Sequence, residues 1–571
     1  SNGAGAFGAS LNVLTEAIQP TASAEIANFY GSYNTHKHSL KFSTGKINDR
    51  FELSGRFSVI KSDGYRDRGW SNLKSYFLQG AYAYGGTLIK AILLGGKQHA
   101  YLTYLGLDKA TLANDRRYNP AGEYTDAAGN KRFYDNESDN YQQDLAQLHW
   151  SQQWNEFWRT QIAFHYTKGK GYWENYEKGA YSWIGLPSLG NNPDGEEKQA
   201  YYIHQQGLNN DFWGTTFSAN YKKDNIDLLV GGALNRYQGA HIKDLLWAEK
   251  AYTSYKNNYS YEGLNTKEEA SGFAKLTYTL NSKWSLFADM QLRYVNYKAK
   301  KHKVDEALYN FNPKMGVTFN LNPNNSFYLS YARATKEPNR SDYKDYAKEL
   351  KKNALAKKPV AEKLNDFELG WRYQSDKVVL NINGYYMGYQ DQLIPTGKLN
   401  ETGYPIRENV GSSYRSGIEA DATVHLSTKW VWQPNVAFSK NITKDYKTEK
   451  KKVITYWGDT QISYSPSAVI GNTISFLPIK NFQASLISKY VGSQYIDNTQ
   501  REEAKLDAYF VNNLSLQYEW NPKHTFKSVL FSVIGNNILN AKYIPYGSNK
   551  YGESYIPAAE AHYLAGITLS F

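Results

Sequence analysis

The sequence predicts an all-β protein: a transmembrane antiparallel β-barrel of about 22 strands, with long extracellular loops and short periplasmic turns. Three observations carry that reading. Apolar and polar residues alternate with period two over many segments. Short turn signals alternate with longer polar connections along the whole chain. The 571 residues are polar on average, with mean hydropathy −0.66, yet 15% are aromatic and 50 are tyrosine. Disordered chains are poor in aromatics, so disorder does not explain the polarity. A barrel does, because its strands need only every second residue apolar and Tyr and Trp gather at both membrane interfaces. The longest apolar stretch, near Ile89–Leu94, is far too short for a membrane helix. Cysteine is absent, which excludes disulfide frameworks and thiolate metal sites.

The strands follow in order. Phe51, Leu53, Phe57 and Val59 alternate with Glu52, Ser54, Arg56 and Ser58. Trp158, Ile162, Phe164 and Tyr166 alternate with Arg159, Gln161, Ala163 and His165. Leu286, Met290 and Leu292 stand against Ser285, Asp289, Gln291 and Arg293, and Phe367, Leu369, Trp371 and Tyr373 interleave with Glu368, Gly370 and Arg372. Such charge would be ruinous in a soluble core, and it fits a face that lines a wet lumen while the other meets lipid. Many runs exceed the roughly 9–11 residues needed to cross, so hairpins are predicted to project beyond the membrane.

Turn signals fall at Gly45–Asp49, Gly85–Gly86, Trp154–Asn155, Lys223–Asn225 and Asn281–Lys283, then at Asn322–Asn325, Gln374–Lys377, Ser427–Lys429, Leu477–Asn481 and Trp520–His524. Between them lie longer connections, including Leu105–Asp139, Tyr172–Leu208, Gly239–Lys267, Glu337–Lys363 and Asp391–Gly411. Ten turns on one side and eleven connections on the other give the strand count. The last strand, Tyr563–Phe571, ends the chain on an aromatic.

Motifs with a chemical look have structural explanations beside them. Gly3-Ala4-Gly5-Ala6-Phe7-Gly8 matches G-x-G-x-x-G, but Leu11–Thr15 continues as a strand where a dinucleotide site needs a helix. His36 and His38 share a strand face without a third ligand nearby, so no metal site is expected. No H-E-x-x-H or G-x-S-x-G is present, and the protein is not expected to be an enzyme. The net charge is +12. Lysines gather at Lys344, Lys348, Lys351, Lys352, Lys357 and Lys358, and again at Lys444, Lys447, Lys450, Lys451 and Lys452. They read either as an electropositive funnel for an anionic ligand or as a rim facing anionic lipopolysaccharide. No nucleic-acid motif accompanies them. Tyr172, Trp173, Tyr176, Tyr181 and Trp183 cluster in the fourth outer connection, as loop packing or as a surface for a planar ligand.

A barrel of this size is one that encloses a plugged lumen. The run Ser1–Thr15, small residues leading to Asn12-Val13, resembles the last plug strand of TonB-dependent outer-membrane receptors. Tyr118–Asp144 resembles an outer loop and following strand of the siderophore and ferric-citrate group. Tyr331–Tyr343 (YARATKEPNRSDY) is similar to A-R-A-x-R-E-P-x-R-x-D-Y; Lys358–Tyr373, Ile382–Leu393 and Ser532–Tyr543 resemble later strands of the family. The haem-receptor F-R-A-P box is replaced by Ala332-Arg333-Ala334-Thr335.

The resemblance implies a plug end over residues 1–15 and a barrel over 16–571, with the TonB box before Ser1. It implies import of a ferric siderophore or ferric citrate across the outer membrane of a Gram-negative bacterium, with iron as chelated substrate and no intrinsic cofactor or metal site. Haem, cobalamin or an oligosaccharide remain alternatives, as do a passive pore and an outer-membrane enzyme or adhesin. Partners would be TonB, lipopolysaccharide and outer-membrane lipid, the small-molecule chelate, and in some members a surface lipoprotein; nucleic acid is not among them. Ligand contacts are expected from Arg116, Arg117, Tyr172, Trp173, Arg333, Asn339 and Arg340, the arginines because their planar forks suit carboxylate or catecholate oxygens.

Overall fold

A single antiparallel sheet takes up every long strand and closes on itself. The computed structural model describes residues 14–250, 260–351, 356–399, 404–450, 453–522, 525–549 and 552–571. Strands β1 to β5 span Ser23–Gly31, Thr35–Ser43, Phe51–Ser62, Ser71–Tyr84 and Thr87–Tyr101. Strands β6 to β10 span Ser138–Gln153, Trp158–Ala180, Gln199–Lys223, Ile226–Ala248 and Ser260–Thr279. Strands β11 to β15 span Trp284–Ala299, Val304–Asn322, Asn325–Lys336, Glu362–Gln374 and Val378–Leu399. Then come β16 (Pro405–His425) and β17 (Trp430–Lys450). Strand β18 has two pieces, Val453–Gln461 and Ala468–Phe476, both paired with β17. Strands β19 to β22 span Phe482–Val491, Tyr509–Trp520, Ser528–Asn536 and His562–Ser570. Pairing of β1 with β22, from Glu25↔Ser570 to Gly31↔Leu564, closes the ring at the predicted count. Closure leaves no open edge at membrane depth, which a sheet in lipid requires.

The two faces are inverted relative to a soluble protein. On β11 Met290 and Leu292 are 59% and 65% exposed, while Asp289, Gln291 and Arg293 between them are buried. Apolar side chains face lipid and charged ones face the lumen, as the alternation predicts. Cross-strand aromatic pairs ring the turn-side end: Phe51–Tyr82, Trp158–Tyr221, Trp284–Phe319 and Trp430–Phe476, with centroids 4.4–5.0 Å apart. No described helix is long and apolar enough to cross a membrane.

All ten predicted turns fall where neighbouring strands reverse, although Lys523 and His524 of the last lie outside the described residues. At Gly85–Gly86 both φ angles are positive (55° and 82°), the geometry a two-residue hairpin needs and glycine supplies without strain.

The outer side differs from expectation. The predicted connection Tyr172–Leu208 is a loop only over 181–198, because β7 runs to Ala180 and β8 starts at Gln199. Gly239–Lys267 and Asp391–Gly411 likewise dissolve largely into β9, β10, β15 and β16. The 25 residues of β8 extend roughly 80 Å, against a hydrocarbon core of about 30 Å, so the hairpins stand well clear of lipid. Above the bilayer a strand no longer needs an apolar face, and the alternation that marks it in sequence stops.

Most of the expected plug end lies outside the described residues, which begin at 14. Residues 14–22 run along the lumen wall. Glu16 pairs with Lys41 at 2.7 Å, the Gln19 amide donates to Glu52 at 3.1 Å, and Lys90 reaches Thr15 at 3.4 Å. Helices α1 (Lys109–Asn114) and α2 (Arg340–Leu350) both belong to outer connections.

Candidate ligand vestibule

Helix α2 is the longest element among the described residues of the 337–361 connection, and its start is written in the sequence. Asn339 accepts from the Asp342 amide (3.1 Å) while Asp342 accepts from the Asn339 amide (2.7 Å), a reciprocal capping box. Just before it, Glu337 dips into the lumen. It receives both Arg293 Nη1 (2.7 Å) and Nη2 (2.9 Å), and an ion pair from Lys267. Arg293 also donates to Glu269 at 3.1 Å, so two cations balance two carboxylates. Burial alone would raise the Glu337 pKa, but Arg293 and Lys267 outweigh it and hold the group at about 2. At the far side Arg407 of β16 grips Asp342 with two hydrogen bonds, 3.1 and 2.6 Å. Tyr343 packs with Tyr297, Ala299 and Val304 at the tip of β11 and β12. The helix is thus tied to the barrel from β11 to β16 across the strands between them.

The remaining outer loops lock together around a second set of ties. Buried Arg66 donates to the carbonyls of Thr103, Leu105 and Tyr118, pinning the 102–137 connection to the loop before β4. Arg68 sits over the Phe133 ring at 3.5 Å. Asn498 donates to Pro395 O (2.8 Å) and Tyr464 to Gly547 O (2.6 Å), and Ile496, Ala504, Leu506 and Tyr555 share one small core. Glu137 accepts from the Tyr176 amide (2.9 Å) and from Asn175, yet its burial beside Glu177 and Glu174 pushes its pKa up to about 7.

The seven predicted ligand residues do not converge. Arg116 donates to Tyr543 O at 3.1 Å, and Arg117 to Tyr65 O at 2.9 Å, so both guanidinium groups tie loops. Asn339 is the helix cap. Tyr172 and Arg333 point to the outer face of the barrel, the face that carries Phe164 and Leu329 lower on the same strands, rather than into the lumen. Only Trp173 and Arg340 remain on the lumen side. Trp173 stacks edge-on against buried His204 (5.7 Å), and Arg340 lies within electrostatic reach of Tyr237. The predicted aromatic cluster divides in the same way. Tyr176 stacks with Tyr201 (5.0 Å) and Trp247 (6.1 Å) on the outward face, whereas Tyr181 is buried on the inner one. These residues sit largely in a strand, and alternation separates neighbours.

Of the lysine clusters, Lys358 pairs with Glu306 and Lys444 lies 5.9 Å from the Tyr414 ring; Lys352, Lys451 and Lys452 lie outside the described residues. His36 and His38 are engaged with Asn34 O and Asn28, and no described cluster of three His, Asp or Glu could hold a metal.

Sequence reasoning missed a cavity of about 500 Å³ where the 102–137, 492–508 and 537–561 connections meet. Lys109, Lys505 and Lys542 line it with Glu502, Asp507, Tyr509, Tyr543 and Tyr555; Lys505 pairs with Glu502 (3.2 Å) and Lys542 with Glu560 (3.8 Å). Tyr509 and Tyr543 stack at 4.4 Å, and Lys109 lies 5.8 Å from the Tyr555 ring. The signal was spread over segments about 400 residues apart, joined in part by Arg116 behind Tyr543. With three lysines against two carboxylates and aromatic faces around one concavity, the lining suits a ligand with anionic groups and planar or apolar edges.

Comparison with known proteins places this architecture. The family model described as TonB dependent receptor-like, beta-barrel matches residues 95–538. No curated protein matches in sequence. Among solved structures, the ferric-catecholate import receptor Fiu of E. coli K12 superposes with TM-score 0.70 at 15% identity, over 97% of this chain and 82% of that one. The ferric citrate transporter FecA gives 0.72 at 15%, over 98% and 80%. The copper transporter OprC gives 0.71 at 13%, over 97% and 80%. At such identities the likeness is one of fold.

Proposed function

Because the chain belongs to the TonB-dependent receptor β-barrel family, we propose that it imports a ferric chelate, a ferric siderophore or ferric citrate, across the outer membrane of a Gram-negative bacterium. Two of the fold relatives are described by ferric cargo and one by copper, so fold alone does not choose. The observation that carries the choice is the tyrosine-lined cavity among interlocked outer loops, where Lys109, Lys505 and Lys542 outnumber Glu502 and Asp507. Ferric siderophores and ferric citrate are commonly anionic, with oxygens that accept from ammonium groups and edges that lie on aromatic rings.

In this reading, outer loops capture the chelate and α2 helps to hold it above the lumen. A plug coupled to TonB then opens the path, and no covalent bond changes. Trp173 and Arg340 remain the proposed contacts on the lumen side, and Lys109, Lys505 and Lys542 join them from the loops. The test is a titration of the purified receptor, with its plug, against ferric chelates of different charge. Anionic chelates should bind most tightly and weaken as salt rises. Binding of cobalamin, haem or a glycan with no ferric chelate bound would overturn the proposal.

A further inference from the structure

The lipid-facing wall from β3 to β7 carries a feature that import does not use. Register partners Val59, Lys74, Lys97, Gln142 and Lys170 form one row across β3 to β7, all on the outward face. Lys61 lies one outward position above Val59. The row next nearer the periplasm holds Phe57, Tyr76, Gly95, Asp144 and Lys168. Lys97 stands about ten residues above the turn-side end of β5, the length that crosses a bilayer. The lysines therefore mark the outer interface.

Lys74 and Lys97 are directly opposite each other, an arrangement of like charges that destabilises a sheet. The carboxylates nearby are engaged. Asp144 accepts from Tyr76 (2.8 Å) and Gln142 (2.8 Å), and Asp211 takes Lys168 (3.0 Å). Among the described residues, Lys61, Lys74, Lys97 and Lys170 have no hydrogen-bond or ion-pair partner. All four are exposed. Immediately beside them a groove of about 730 Å³ opens over Ile26, Leu40, Phe57, Val59 and Tyr76. Gly95 keeps its floor low: a Cβ there would stand 2.4 Å from Asp144 Oδ1 and 2.9 Å from the Tyr76 ring.

An apolar groove in the membrane with uncompensated lysines at its upper rim matches an amphiphile whose acyl chains lie below anionic groups. The geometry points to a binding site for the phosphorylated headgroup of lipopolysaccharide, with Lys74 and Lys97 as the central phosphate ligands and Lys61 and Lys170 flanking them. Phosphates placed there turn a repulsive pair into charge-assisted contacts. The site is independent of the cargo.

The probe is bisphosphorylated lipid A in nanodiscs with the purified receptor, scored by native mass spectrometry. Dephosphorylated lipid A and phosphatidylglycerol serve as comparisons, and Lys74→Gln/Lys97→Gln is set against Lys444→Gln. The wild-type chain and Lys444→Gln should retain bisphosphorylated lipid A, and the double variant should lose roughly tenfold or more in affinity. Equal retention by the double variant, or wild-type preference for neither phosphate nor glycolipid, would overturn the site. If the double variant does not fold, the three lipids compared on the wild-type chain decide alone. Either failure leaves chelate binding, and so the import proposal, untouched.

Discussion

Glu337 shows how much one buried charge can hold. Its carboxylate is surrounded by Arg293 and Lys267, and removing one partner of such a buried group costs about 3–5 kcal/mol. Glu337→Gln should therefore release the 337–361 connection, seen as nicking of that segment by added protease at least ~100-fold faster than in the wild-type chain. Unchanged nicking would show that the ion pairs do not secure the loop. The pH dependence has a definite sign. A carboxylate held at about 2 against an ordinary 4.5 contributes stability above 4.5 and loses it as pH falls from there toward 2. Protection of the loop should fade over that window and be flat above it. Asn339→Ala should cost about 1 kcal/mol through the lost cap, again read as faster nicking. Asn339 had been expected at the ligand. The Asn339–Asp342 spacing of its capping box is legible in the sequence and marks the helix start. Arg333 was harder. Its outward placement follows from sharing alternate positions of β13 with Phe327, Leu329 and Tyr331, a pattern that is legible only once the strand is known to run on to Lys336.

At the scale of elements, turns were legible and outer loops were not. Turns announce themselves through residues that tolerate positive φ, as at Gly85–Gly86 and Asp224. Strands inside lipid announce themselves by alternation. The upper parts of β7 to β10 do neither, because water bathes both faces there. The chain has no cysteine, so single substitutions report this directly. Trp183→Cys, at a position 68% exposed in the 181–198 loop, should react with a membrane-impermeant maleimide on intact cells. Phe164→Cys, on the lipid face of the same hairpin, should not. Comparable labelling of both would contradict the assignment of the membrane boundary on β7.

For the whole molecule, a count of turns and connections was enough to foresee a closed ring, because closure is required of any sheet in lipid and bacterial barrels keep an even strand number. The vestibule was not foreseeable in that way. Its cavity draws Lys109, Lys505 and Lys542 from connections that meet only after the ring has closed and brought β20 to β22 back beside β1 to β5. Lys109→Gln/Lys505→Gln/Lys542→Gln should weaken binding of an anionic ferric chelate by about tenfold or more and flatten its salt dependence, with the barrel intact. The central claim is energised import of a ferric chelate, and the most direct measurement is uptake of radioactive iron as its siderophore or citrate complex by iron-starved cells carrying the full-length receptor. Uptake should appear with the receptor and vanish when TonB is absent; uptake that persists without TonB, or no uptake of any ferric chelate, would contradict the account.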